Sequence, residues 1–400
     1  MGNWESDVAR RPLLTPTAIA NVAFVPTGIV TVLLGPILPT LAARWSLNDT
    51  RGGLLFFAQF VGSTGGVVLS GALVPRFGYR AVLVLGLTFV AAGVSTLLLG
   101  SWVWGMVSVA GFGFGLGLIV PTGNLLVAEV NPETKASALT LVNFSWSVGA
   151  VACPFLLAPF QRAQRTSMFL WVLAACVLVV AMALWRIALP SLSRSRDESA
   201  PPEQSLVRLL GTPAAIALAV LFFTYVGTET AVGGWLASYA KRMIQGAGTM
   251  WVTTPSFFYG GLLLGRILTP ALLQRMPEVK LARWSMIVAL LGVAGLLATP
   301  SVTGVIVGAA VVGVGLSPVY PIVIALLSHS FGAAATRLGS VMFALAGLGA
   351  ACVPLIVGFT STQMSSLKLG LAVPFLGCAV LLRLLSRNWS APVAQNGCGN

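Results

Sequence analysis

Ten carboxylates occur in this chain, and one of them, Glu229, falls inside a long apolar run. The others (Glu5, Asp7, Asp49, Glu129, Glu133, Asp197, Glu198, Glu203, Glu278) sit in tails, loops or helix ends. A carboxylate in the middle of an apolar helix costs a few kcal/mol unless it is paired, protonated or facing water, so a function is the default reading of Glu229. It can bind a hydroxyl or exchange a proton. At 100° per residue Tyr225, Glu229, Trp235 and Tyr239 share an arc of about 120° on one helix. Aromatic faces stack on apolar ring faces while carboxylates and amides bind hydroxyls, so the stripe suits a neutral polyol. Trp235 and Tyr239 also fit an interfacial aromatic belt. Uncharged partners for such a ligand are Gln59, Asn124, Asn143 and Trp146, the last two sharing a face at a spacing of three, with Asn21, Thr27 and Ser63 as weaker candidates. A lone Asn or Gln in a bundle more often bonds a neighbouring helix. Tyr320 lies between Pro318 and Pro321, where interrupted backbone hydrogen bonding can line a cavity.

The elements that must hold these residues are membrane helices. The 400 residues are 57% hydrophobic and 8% charged, with a net charge of +13 and a mean hydropathy of +0.92, whereas a soluble domain carries about a quarter charged residues. The bases lie singly or in pairs between apolar runs, which argues against a nucleic-acid partner. Cys153, Cys176, Cys352, Cys378 and Cys398 show no CxxC spacing, so neither a disulfide nor a metal site is expected, and no cofactor. The polar start, followed by many apolar runs rather than one, is unlike a cleaved signal peptide.

A crossing helix needs roughly 20 apolar residues. Cutting at charges and breakers leaves twelve spans, near 17–43, 52–74, 81–100, 103–128, 137–160, 167–188, 213–240, 251–274, 281–299, 302–328, 338–361 and 367–385. The segment from Pro190 to Gly211 reads as a solvated linker. The expected organisation is a tail over 1–16, a six-helix bundle over 17–188, a linker over 189–212, a second bundle over 213–386 and a tail over 387–400. With the N-terminus inside, inner segments receive 15 bases and outer ones seven, which places both termini and the linker in the cytoplasm.

The halves repeat at an offset of 200: Gly113, Gly115, Leu116 and Pro121 align with Gly313, Gly315, Leu316 and Pro321, and Gly149, Ala150 and Pro154 with Gly349, Ala350 and Pro354. Two similar six-helix bundles about an axis along the membrane normal form an architecture of secondary transporters. After the second span the chain reads Gly71-Ala-Leu73-Val-Pro75-Arg76-Phe-Gly78-Tyr-Arg80, and on this segment it resembles the major facilitator superfamily, whose pattern there is G-x-L-x-D-R-x-G-R-K. Pro75 replaces the acid. In that family the acid helps latch the halves on the cytoplasmic side, so the resemblance implies a gate at Arg76 and Arg80, with Glu129 as the candidate carboxylate to pair with one of them.

Four further stretches resemble the fucose and glucose permease branch: Gly123-Asn124; Asn143-Phe-Ser-Trp146-Ser-Val-Gly149; Glu229-Thr-Ala-Val-Gly-Gly-Trp235-Leu-Ala-Ser-Tyr239; and Ser317-Pro-Val-Tyr320-Pro321. The resemblance implies an all-α, twelve-helix membrane fold of two pseudo-symmetric bundles, working as a monomer by alternating access on a monosaccharide of the glucose, galactose or fucose type. A proton is the preferred coupling ion, sodium the other candidate, and Glu229 the residue that would carry the proton. The first and fourth spans lack the acids of the fucose symporter, so its coupling scheme does not transfer.

Arg266 is a second intramembrane charge. Its helix runs inward, which puts it in the inner half while Glu229 lies in the outer half; the expectation is a cytoplasmic gate residue that does not pair with Glu229. His329, at the register position of Glu129, reads as structural rather than as a proton relay. The prolines at 26, 36, 39, 154 and 354 should bend their helices. The competing reading is a multidrug or metabolite exporter of the same fold, with an apolar cavity and cation selectivity through Glu229. An enzyme is not expected: there is no nucleotide loop or metal-ligand cluster in the sequence. A bacterial inner membrane, with lipid as the surrounding partner, is the expected location.

Overall fold

Pro36 has no amide proton and crowds the carbonyl four residues before it, and this shapes the first crossing. In the computed structural model, which describes residues 15–186, 206–243, 248–387 and 389, α1 (Pro16–Val32) stops at Val32 and α2 (Leu34–Trp45) continues at an angle of 42°. α3 (Asp49–Thr96) starts where the Asn48 side chain accepts the Arg51 N–H. Its 48 residues at 1.5 Å each are about twice as long as a bilayer core needs, so it crosses twice. The reversal is at Gly78, with φ of +77°, a region closed to most L-residues. Where the spacing implied a loop between the second and third spans, one left-handed glycine makes the turn.

The first half is completed by α4 (Trp102–Val130), α5 (Lys135–Arg162) and α6 (Thr166–Arg186). The second comprises a short α7 (Leu206–Leu210), α8 (Pro213–Lys241), α9 (Thr254–Leu273), α10 (Glu278–Ala298), α11 (Val302–Leu316), α12 (Val319–Phe331), α13 (Ala335–Gln363), α14 (Leu367–Gly370) and α15 (Ala372–Leu385). Proline again explains the breaks. Pro318 deprives Val314 of its helical donor, and the Ser317 hydroxyl supplies one at 2.7 Å; α14 ends at Gly370, four before Pro374. Ten helices are long and apolar enough to cross a membrane, the bent α1–α2 pair adds one and the second leg of α3 another, which makes twelve among the described residues. Most of the linker and both tails lie outside the described residues.

The repeat seen in the sequence has a packing cause. A Cβ on Gly149 would lie 2.0 Å from the Val25 carbonyl oxygen, and one on Gly349 2.0 Å from that of Phe223. Gly113 and Gly313 lie equally close, 2.1 Å, to the carbonyls of Gln59 and Phe258. Each pair brings equivalent helices into backbone contact, first span on fifth and second on fourth, and their counterparts in the other half.

The halves meet through α2 on α8, α3 on α13 and α5 on α9. The contact is closest on the side away from the linker: a Cβ on Gly358 would meet the Asp49 carbonyl at 2.3 Å and one on Gly53 the Leu355 Cα at 2.9 Å. At the linker end of α3, Arg76, Phe77 and Arg80 are exposed.

Candidate functional site

Between the halves lies a cavity of about 180 Å³. Its first-half wall is Thr31, Val32 and Gly35 from the first crossing, Phe56, Gln59 and Phe60 from α3, and Trp146 from α5. The other wall is Val226, Glu229, Thr230 and Gly234 from α8 and Tyr259 from α9. Three residues expected from sequence, Gln59, Trp146 and Glu229, therefore share one space. The others follow helical spacing: Phe56 and Phe60 flank Gln59, Val226 and Thr230 flank Glu229, and Tyr259 stands two turns from Arg266. That spacing was legible in the sequence, and none of these neighbours is polar enough to draw attention alone.

Most hydroxyl and amide groups here are already engaged. Thr31 Oγ1 donates to Thr27 O and accepts Trp146 Nε1 at 3.3 Å; Thr230 donates to Val226 O. Gln59 Nε2 donates to Thr31 O at 2.9 Å, whereas Gln59 Oε1 is buried with no hydrogen-bond partner. A buried acceptor left empty costs about 1–3 kcal/mol, and a ligand's O–H or N–H satisfies it once the Gln59 side chain turns that oxygen toward the cavity it lines.

The expectation that Arg266 and Glu229 do not pair is corrected by the structure. Arg266 Nη2 lies 4.0 Å from Glu229 Oε1, and Nη1 reaches the Ser147 hydroxyl of the other half at 3.4 Å. Side chains on a helix tilt toward its N-terminus. α8 and α9 run in opposite senses, so the two side chains lean toward each other and close the offset in depth between their Cα atoms. Tyr225, Tyr259 and Tyr320 stand close enough to feel the Glu229 charge.

Other expected ligands are used elsewhere. Trp235 is 1% exposed and its indole N–H donates to Pro354 O at 3.0 Å; Tyr239 is buried. Neither lines the cavity, because the inter-half contact covers that end of α8. Asn143 donates to Asn124 at 3.3 Å and to Leu139 O, and Asn124 to Val120 O, so this pair ties α4 to α5. Tyr320 stacks on Tyr225 at 5.5 Å, and Tyr225 donates to Leu316 O; Tyr320 supports the Glu229 region from behind rather than lining the cavity. At the linker end Glu129 accepts the Tyr79 hydroxyl and Arg80 stands 5.7 Å over the Trp185 ring, contacts that hold α3, α4 and α6 within one half. His329 Nδ1 lies 4.0 Å from Glu278, both at the surface. Cys153 and Cys378 are buried free thiols.

The chain is 29% identical over 364 residues to a glucose/galactose transporter of Brucella abortus, covering 83% of this chain and 84% of that one. It is 23% identical over 369 residues to the glucose/mannose transporter GlcP of Bacillus subtilis, covering 88% and 89%. Its backbone follows the crystal structure of the Escherichia coli fucose:proton symporter with a TM-score of 0.62 at 20% identity, over 92% of this chain and 97% of that one, a likeness of fold. The Major Facilitator Superfamily model matches residues 21–354, and the chain, a multi-pass membrane transporter and not an enzyme, belongs to that family.

Proposed function

We propose that this transporter moves a monosaccharide, of the glucose, galactose or fucose type, by alternating access of the central cavity to the two sides of the membrane. The observation that carries the reading is the cavity between the halves, lined by Gln59 and Trp146 on one side and Glu229 on the other. A sugar hydroxyl donates to Gln59, a second to Glu229, and the C–H face of the ring lies on the Trp146 indole. The names of the relatives agree with this. Glu229 carries the coupling proton: its ionised form is balanced by Arg266, and protonation frees the guanidinium to bond elsewhere. Sodium is the alternative ion. The termini are cytoplasmic in a bacterial inner membrane, and the unit is the monomer in lipid, organised as the two bundles joined by the linker near 189–212.

The test is uptake of labelled glucose, galactose and fucose into proteoliposomes, with and without an inward proton gradient, for the parent and Glu229→Gln. Accumulation that needs the gradient and disappears in the variant is expected. Phe56, Phe60, Val32 and Val226 give the cavity a partly apolar lining, which favours the exporter as second reading; competition by lipophilic cations, with no sugar uptake by folded protein, would establish it instead.

A further inference from the structure

We propose that Asp49 is a clasp that holds the transporter shut on the side away from the linker. Asp49 is the first residue of α3 and belongs to the first half. Its carboxylate accepts Arg242 Nη2 at the end of α8 at 2.5 Å and the Ser361 hydroxyl of α13. One side chain thus ties two helices of the opposite half. Beside it, the Thr50 N–H and Oγ1 each lie 2.9 Å from Thr362 Oγ1.

Burial separates this cluster from an ordinary surface pair. Ser361 is 1% exposed, and the Asp49 side chain keeps only 17% of its exposure against 46% for Arg242, so two of the three groups are largely withdrawn from water. Behind the clasp Trp235 fills the gap between the halves. Its ring lies 6.0 Å from that of Phe56 and against the space over Gly52, a dry plug between the clasp and the cavity. Toward the linker side of the cavity, Arg266 reaches the Ser147 hydroxyl of the other half at 3.4 Å, a longer contact than those at Asp49. Charge-assisted hydrogen bonds that are short and partly buried outweigh one long contact at the edge of hydrogen-bonding range. In this conformation the halves are held closed away from the linker, and the opposite state is reached only by breaking the Asp49 contacts together.

Asp49→Asn keeps the shape and loses the charge, while Asn48 still caps α3. Arg242→Gln removes the partner at an exposed position, which keeps the test usable if the first variant folds poorly. Amide hydrogen exchange is followed by mass spectrometry on the substrate-free protein in lipid nanodiscs, so the result does not depend on which solute is carried. In both variants exchange over residues 49–56 and 355–362 should rise about tenfold, the scale of one charge-assisted hydrogen bond, while exchange over 76–80 and 335–340 falls. The double variant should add little to either single one, since both break the same contact. Unchanged exchange at 49–56, a uniform rise at both ends of the bundle, or additive effects would each overturn the clasp.

Discussion

Arg266 stands between Glu229 of its own half, 4.0 Å away, and Ser147 of the other, at 3.4 Å. A single guanidinium therefore answers both to the charge of the carboxylate and to the distance between the halves. The Glu229 carboxylate and the contact of α5 with α9 meet in this one side chain.

Removing one member of this pair should hurt more than removing both. Arg266→Gln leaves a carboxylate without its counter-charge in the membrane, whereas Glu229→Gln with Arg266→Gln leaves a neutral pair. Both groups keep some contact with water, so a difference of about 1–2 kcal/mol is expected rather than the 3–5 of a fully buried pair. Thermal unfolding in detergent checks the order: the single Arg266→Gln should melt lowest and the double variant should recover.

Gln59→Ala should weaken sugar binding about tenfold, the worth of roughly one hydrogen bond, with little loss of stability, because the group removed is the unpartnered Oε1 and one bond to Thr31 O. Equilibrium binding of labelled sugar measures it. A variant that binds as tightly as the parent would remove Gln59 from the site.

Two tryptophans that look alike in the sequence should behave differently. Trp146 lines the cavity and Trp235 is locked to Pro354 O. Trp146→Ala should raise the apparent KM several-fold with a folded protein. Trp235→Phe should leave sugar affinity within about twofold and change the rate of conformational exchange, read as kcat in counterflow.

Gly149→Ala should destabilise the first half by about 1–3 kcal/mol, the cost of forcing an extra group into a packed contact, since its Cβ meets a carbonyl oxygen at 2.0 Å. Gly111→Ala, with nothing within 4 Å of the added atom, should be neutral or slightly stabilising in a helix. Melting temperatures of the two variants, measured side by side, decide it.

Much of the fold was legible before any coordinates. Apolar run length sets the crossings, and of the prolines expected to bend their helices Pro36 breaks one after Val32 while Pro26, Pro39, Pro154 and Pro354 lie inside continuous helices. Matching glycines at 149 and 349 exposed the repeat, because close backbone approach tolerates no side chain and the requirement recurs in each half. The single intramembrane carboxylate identified Glu229, since desolvation makes such a residue expensive anywhere. These are local rules that a linear chain states residue by residue.

What tertiary structure decided was who meets whom. Trp235 and Glu229 share a stripe on α8, yet one is sealed in the inter-half contact and the other faces the cavity, because the halves pack together at that end of α8 and leave a space nearer its middle. Asn124 and Asn143, polar and well placed by sequence, are spent on each other across α4 and α5. Arg266 and Glu229, set at different depths by counting residues, meet because side chains on antiparallel helices tilt toward one another. Periodicity along a helix gives the angle of a side chain about its own axis; the neighbour at that angle depends on how separate helices pack, and only the assembled bundle contains that information.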